Sequence, residues 1–366
     1  PFGGDVFRLA RASVATSADQ PYFGAARRKQ DPMTRLLRRL MAAMIMGVFV
    51  YAAFALYRGI HEIGETLARF HWSAFAVACA LAFGNYLTRF LKWEFYLARL
   101  DIRGVPKLDS LLTFLSGLVL TVTPGKVGEV FKSLVLYQTH DVPVARTAPI
   151  VLAERLTDVL GIVILIVAGS ASFPGGLVWA GAGSILVLAV LIAVSSDRVF
   201  QILIGFFERG PERAQKLAPK VREAWASLRT LTTPGALVLP TLLSILAWFL
   251  EGLALWVILR GFGENTPLLM ACFFYATATL AGALIPVPGG LGVTEGTLEE
   301  QLHHFGNVDT ATATSAMILV RFATLWFAVL VGFVALALLR LRFPALAREA
   351  AAVADPNAAA PGIAKN

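Results

Sequence analysis

Two hydrophobic runs of this chain are interrupted by glycine–proline elements, TVTPGKVGEV at 121–130 and PVPGGLGVTEG at 286–296. Each break leaves backbone amides and carbonyls without helical partners and places a carboxylate at the end of an apolar segment. Hydrocarbon tolerates irregular backbone only where protein or a water-filled cavity surrounds it. The two breaks therefore restrict the fold more than any uninterrupted run, and they are the first place to look for a functional site.

Composition makes a membrane setting the plain expectation. Of 366 residues, 57% are hydrophobic and 15% charged, and the mean hydropathy is +0.68. A soluble domain of this length would need far more surface charge. The expected fold class is all-α, a polytopic membrane protein. Cys79 and Cys272 both lie in apolar segments and read as small buried hydrophobes. The formal net charge is +8, but the basic residues flank apolar segments. They read as topology signals and contacts with anionic lipid rather than as a nucleic-acid surface. No CxxC, HExxH, Walker A or GxGxxG pattern occurs, so no metal, cofactor or nucleic-acid partner is expected. Residues 1–31 are mixed and polar, and no cleavable signal peptide is expected there.

Along the chain, residues 1–35 read as a cytoplasmic basic tail holding Arg27, Arg28, Lys29 and Arg35. The membrane body covers 36–341, and 342–366 read as a disordered tail. Spans are expected at 40–57, 72–91, 147–169, 181–195, 236–259 and 311–339. The run 108–122 is too short to cross comfortably, because a spanning helix needs roughly 20 residues. It stops at Pro124 and Gly125, and a second short helix is expected over 126–137. The run 268–285 likewise ends in Pro286, Pro288, Gly289 and Gly290, followed by a short helix over 294–303 capped by Thr294. The hydrophilic stretch 197–233 reads as an amphipathic cytoplasmic connector, with Val199, Ile202, Leu203, Phe206 and Phe207 at helical spacing.

Charge bias then sets a topology. With both termini cytoplasmic, the expectation is about six full spans plus two re-entrant helical hairpins entering from opposite faces. Weak likeness between PGKVGE and PGGLGVTEG suggests an inverted repeat.

The polar residues inside the apolar body are the candidate site. Lys126 and Glu129 follow the first break, where first-turn amides would stabilise the carboxylate. In AERLTDVLG, Glu154 and Asp158 share a helix face, and Arg155 and Asp158 are spaced to pair. One consistent arrangement buries an Arg155–Asp158 pair and leaves Glu154 unpaired toward a cavity. Glu295 and Glu299 follow the second break four residues apart, so their like charges need relief; Arg321, alone in the last span, is the natural candidate and could pair with Glu295 or bind a lipid phosphate bidentately. Arg321→Gln is expected to abolish function and leave folding intact. Gly125, Gly128, Gly289, Gly290 and Gly292 permit tight turns that expose amides to an anion. Arg89 and Lys92 read as snorkelling side chains at a span end.

PGKVGEVFKSLVL, AERLTDVLG and PVPGGLGVTEG, in this order, resemble the flippase-like family, also described as the lysylphosphatidylglycerol synthase transmembrane region. The resemblance covers roughly residues 36–341. It implies a bacterial cytoplasmic-membrane lipid transporter that moves a polar-headed lipid between leaflets. Glu129, Glu154, Arg155, Asp158, Glu295 and Arg321 are then the cavity residues. It also implies a phospholipid or an isoprenoid or hopanoid lipid as cargo. Only a short tail follows Leu341, so aminoacyl-lipid synthesis is expected to need a partner enzyme; oligomerisation is left open. The alternatives are an integral membrane enzyme acting on a lipid phosphate or polyprenyl-linked sugar, and a non-catalytic partner of a lipid synthase.

Overall fold

The computed structural model describes residues 60–122, 129–171, 181–185, 218–285 and 287–344, with single positions or pairs at 49, 178, 196, 198, 201, 204–205 and 208. The basic tail, all of the span expected at 40–57 except position 49, most of the span expected at 181–195 and the C-terminal tail from position 345 lie outside them, as do Pro124, Gly125, Lys126 and Gly128. Every regular element among the described residues is helical. In chain order they are α1 (Ile60–Ala68), α2 (Trp72–Arg99), α3 (Lys107–Ser116), α4 (Phe131–His140), α5 (Val144–Ser170) and α6 (Ala218–Leu231), then α7 (Pro234–Gly261), α8 (Leu268–Leu284), α9 (Val293–His304), α10 (Thr310–Arg321) and α11 (Phe327–Arg342).

Proline punctuates the helix starts. Pro106, Pro143 and Pro267 stand immediately before α3, α5 and α8, and Pro234 opens α7. A ring there costs nothing, because the first helical amides have no intrahelical acceptor. Asp309 caps α10 through its side chain, which accepts from the Thr312 amide at 3.1 Å.

Three helices are long and apolar enough to cross a bilayer: Trp72–Arg99, Pro234–Gly261 and Thr310–Arg342, the last being α10 and α11 joined through a π turn. A rise of about 1.5 Å per residue carries 28 residues well past a hydrocarbon core of about 30 Å. Helix α5 has 27 residues but carries Glu154, Arg155 and Asp158. The protein turns its polarity inward. Leu242 on α7 is 58% exposed and Leu338 on α11 is 48%, whereas Lys92 is 1% and Glu295 0% exposed. An aqueous surface would favour the reverse; a lipid surround explains it.

Helices α2, α5, α7 and α8 form the centre. Glycine lets them approach: a Cβ on Gly252 of α7 would lie 2.8 Å from the Cα of Cys272 on α8. Helix α6, within the expected amphipathic connector, packs on α5 and buries Leu228 and Leu231.

Both breaks are helix–break–helix units. After α3 the chain tightens into a 3₁₀ turn, Gly117–Leu120, and helix resumes in α4 beyond the undescribed 123–128. After α8, Gly289, Gly290 and Gly292 take φ of 62°, 70° and 86°, values open to glycine at little cost. The chain thereby turns back, and α9 packs along α8. The two units meet: a Cβ on Gly289 would lie 3.6 Å from the Val122 Cα, and Val119, Leu120, Val122, Leu291, Leu325 and Val329 form one buried apolar cluster. Helix α9 starts one residue before the expected Thr294 cap. Gly292 occupies the cap position, and Glu295 accepts its amide at 2.7 Å.

Candidate functional site

A cavity of about 230 Å³ lies where the two breaks meet α2, α5, α7 and the π turn. Each wall helix contributes a polar stripe at helical spacing. Helix α2 supplies Asn85 and Arg89, α5 supplies Arg155 and Asp158, and α7 supplies Trp248 and Glu251. Tyr275, Arg321 and Thr324 close the far side, and Glu129 enters from the first break. Among the described residues, three arginines and three carboxylates line it.

Asp158 is the hub on the α5 wall. Its Oδ1 accepts from Lys92 Nζ at 2.7 Å and from Ser244 Oγ at 3.1 Å. Its Oδ2 accepts from Arg89 Nη1 at 3.1 Å and faces Arg155 Nη1 at 3.3 Å. Arg155 then donates from Nη2 to Glu129 Oε2 at 2.8 Å. An isolated charge at membrane depth costs at least about 2.5 kcal/mol, and pairing is what makes such burial tolerable. The Arg89 guanidinium also lies 4.9 Å over the Trp248 ring.

Arg321 is the hub at the second break. Its Nε donates to Glu295 Oε1 at 2.6 Å and its Nη2 to the Gly289 carbonyl at 2.7 Å. Glu295 thus serves both as counter-ion and as acceptor at the start of α9. Directly after Arg321, helix α10 widens into the π turn Phe322–Trp326. Such single π turns often accompany functional sites. Here the turn presents the Thr324 carbonyl to the Tyr86 hydroxyl at 2.9 Å.

Glu251 joins the walls through neutral donors. Asn85 Nδ2 donates to its Oε1, and the Tyr275 hydroxyl donates to its Oε2 at 2.5 Å.

Three expected site residues stand away from the cavity lining: Glu295, held behind Arg321, Glu154 and Glu299. Glu154 is not an unpaired group there: its Oε2 accepts from Lys132 Nζ at 2.8 Å, with that ammonium also 5.0 Å from the Trp93 ring and 4.9 Å from the Phe114 ring. Glu299 is buried and accepts from Thr314 Oγ1 at 2.9 Å. Of the expected turn residues, Gly289 and Gly290 line the cavity.

The sequence profile described as "Lysylphosphatidylglycerol synthase TM region" matches residues 41–332. The chain belongs to that family. It is also similar to two "UPF0104 membrane protein" sequences of Methanothermobacter thermautotrophicus. One is 25% identical over 158 residues, covering 41% of this chain and 46% of the relative; the other is 22% identical over 304 residues, covering 78% and 90%. A UPF0104 membrane protein of Methanocaldococcus jannaschii is 24% identical over 221 residues, covering 58% of this chain and 90% of the relative. The chain thus spans about half the length of the first relative and nine-tenths of the other two.

In this member of the lysylphosphatidylglycerol synthase TM region family, three cavity groups, Arg89, Glu251 and Tyr275, and the buried Lys92 behind them escaped the sequence reading. Arg89, expected to snorkel at a span end, lies in the cavity wall, with Lys92 buried behind it on Asp158. Glu251 and Tyr275 were not singled out. A signal existed: Asn85, Arg89 and Lys92, and likewise Ser244, Trp248 and Glu251, recur at three- and four-residue spacing in otherwise apolar helices. An ionisable group in such a helix marks a functional candidate by itself.

Proposed function

We propose that this protein is a lipid transporter that carries a polar headgroup between leaflets through the charged cavity. The observation that carries the reading is the set of three arginines and three carboxylates facing an interior space, inside a molecule whose outer surface is apolar. Charges so arranged stay solvated by one another and by a guest. They have no role in packing that leucine would not fill better.

Size supports a headgroup rather than a whole lipid. The cavity, at about 230 Å³, falls below the about 300–1,000 Å³ of pockets that enclose drug-sized ligands. The headgroup would sit against Arg155 and Arg321 with its chains remaining in the bilayer. Proposed with it is a topology of six spans and two re-entrant hairpins from opposite faces, related as an inverted repeat, with both termini cytoplasmic. In that topology the site, beside both breaks, would lie near mid-membrane. Motion of one half against the other would then move the headgroup without exposing it to hydrocarbon.

The test is reconstitution into vesicles carrying a labelled lipid in one leaflet, with several headgroups compared. Leaflet transfer without chemical change supports the transporter; conversion of the lipid favours an enzyme. No acceleration for any headgroup overturns the reading.

A further inference from the structure

Glu251 lines the cavity, yet among the described residues it makes no ion pair. Neutral donors satisfy its two oxygens: Asn85 on Oε1, and Tyr275 on Oε2 at 2.5 Å. The other ionisable groups lining the cavity are Tyr86 and Arg89 from α2, Glu129 at the first break, Arg155 and Asp158 from α5, and Arg321 from α10, with Thr324 of the π turn beside Tyr275.

The Tyr275 hydroxyl has one proton and two acceptors within reach, Glu251 Oε2 at 2.5 Å and Thr324 Oγ1 at 3.1 Å. Thr324 spends its own proton on the Val320 carbonyl at 2.8 Å. With Glu251 ionised, the tyrosine proton lies toward the carboxylate. When a proton from cavity water binds Oε2, the new carboxyl O–H donates to Tyr275 Oη, and the tyrosine proton turns to Thr324 Oγ1. Neither state leaves a donor facing a donor, so no buried polar group is orphaned by the change. The Asn85 side lacks this freedom. Asn85 Oδ1 accepts from Arg89 Nε at 2.9 Å, and turning the amide to accept a proton would set its donors against the guanidinium.

We propose that Glu251 is a proton-binding site whose occupancy is coupled to capture of an anionic lipid headgroup. This rests on the headgroup reading of the cavity. With Glu251 ionised, the lining arginines and carboxylates balance; a proton on Glu251 leaves a positive surplus facing the guest. Proton and anion then favour one another's binding, and the coupling is reciprocal by linkage. A proton gradient would thereby load the cavity on one side and empty it on the other.

The test uses the full chain in detergent, with short-chain phosphatidylglycerol as the anionic probe and short-chain phosphatidylcholine as the neutral comparison. Titration calorimetry in two buffers of unlike ionisation enthalpy reads protons taken up per lipid bound. Phosphatidylglycerol is expected to take up a proton and to bind about 5–150-fold more tightly from mildly alkaline to mildly acidic pH, the usual span of linked binding. Glu251→Gln, which keeps an acceptor and the side-chain shape, is expected to abolish the uptake and hold the acidic-side affinity throughout. Uptake that survives in Glu251→Gln, or binding to the wild type without uptake, overturns the proposal. Infrared difference spectra of the lipid-free wild type against Glu251→Gln supply an independent reading. A protonated-carboxyl band that grows on acidification supports the proton site, and its absence overturns it. If that band titrates but phosphatidylglycerol binds at no pH, the coupling to an anionic headgroup is overturned while the proton site stands, and the headgroup reading itself falls only if vesicle transfer is absent for every headgroup.

Discussion

Arg321 reaches the Gly289 carbonyl with Nη2 at 2.7 Å, which fastens the cation of the last long helix to the backbone of the second break. The same guanidinium holds Glu295, itself fully buried. The arginine is therefore structural as well as available to the cavity.

That double duty changes the expectation for Arg321→Gln. Removing the cation takes the arginine from a buried carboxylate, and breaking such a pair costs about 3–5 kcal/mol. The single variant is expected to lose thermal stability. Arg321→Gln combined with Glu295→Gln should recover most of it while lipid transfer stays lost. Unfolding midpoints of the three purified proteins check this; a double variant as unstable as the single one would show that the pair is not the source of the loss.

Asp158 collects Arg89, Lys92 and Arg155. Asp158→Asn leaves these cations crowded around a neutral amide, and a loss of about 3–5 kcal/mol is expected. Adding Lys92→Met should return part of it, because one repelling charge is removed. Denaturant unfolding of the single and double variants measures the coupling.

The second break is held closed by glycine. A Cβ on Gly282 would lie 2.0 Å from Thr294 Oγ1 and 3.3 Å from the Gly290 Cα. Gly282→Ala is expected to cost about 1–3 kcal/mol through overpacking. Combined with Thr294→Ala, the nearer contact disappears and the loss should shrink. An equal loss in both would place the strain elsewhere.

Lys132 and Glu154 form a buried pair outside the cavity lining. Lys132→Met should destabilise by about 3–5 kcal/mol, and Lys132→Met with Glu154→Gln should be close to the wild type. Binding of short-chain phosphatidylglycerol should be unchanged in the double variant. A large loss of binding there would return Glu154 to the site.

Several features were legible in the residues themselves. The apolar runs ending in TVTPG and PVPGG announced two interrupted helices, because proline and clustered glycine cannot continue one. Arg321 stood out because a lone guanidinium in an apolar run needs a partner. Glu295 was one of two partners its chemistry allowed, a lipid phosphate being the other, and no local spacing connects positions 295 and 321. Glu154 shows the limit. Its i,i+4 relation to Asp158 is a fact of helix geometry, yet it turns to Lys132 on another helix.

The sequence by itself determined that this is a helical membrane protein with two breaks and buried charge, since hydropathy, proline and glycine act over a few residues. Only the tertiary structure decided which charges share a cavity. Lys92 and Arg89 meet Asp158 across intervals of 66 and 69 residues, and Asn85 meets Glu251 across 166. The physical reason is that desolvation forces each buried charge to find a partner, but helix packing alone sets which partner lies within reach.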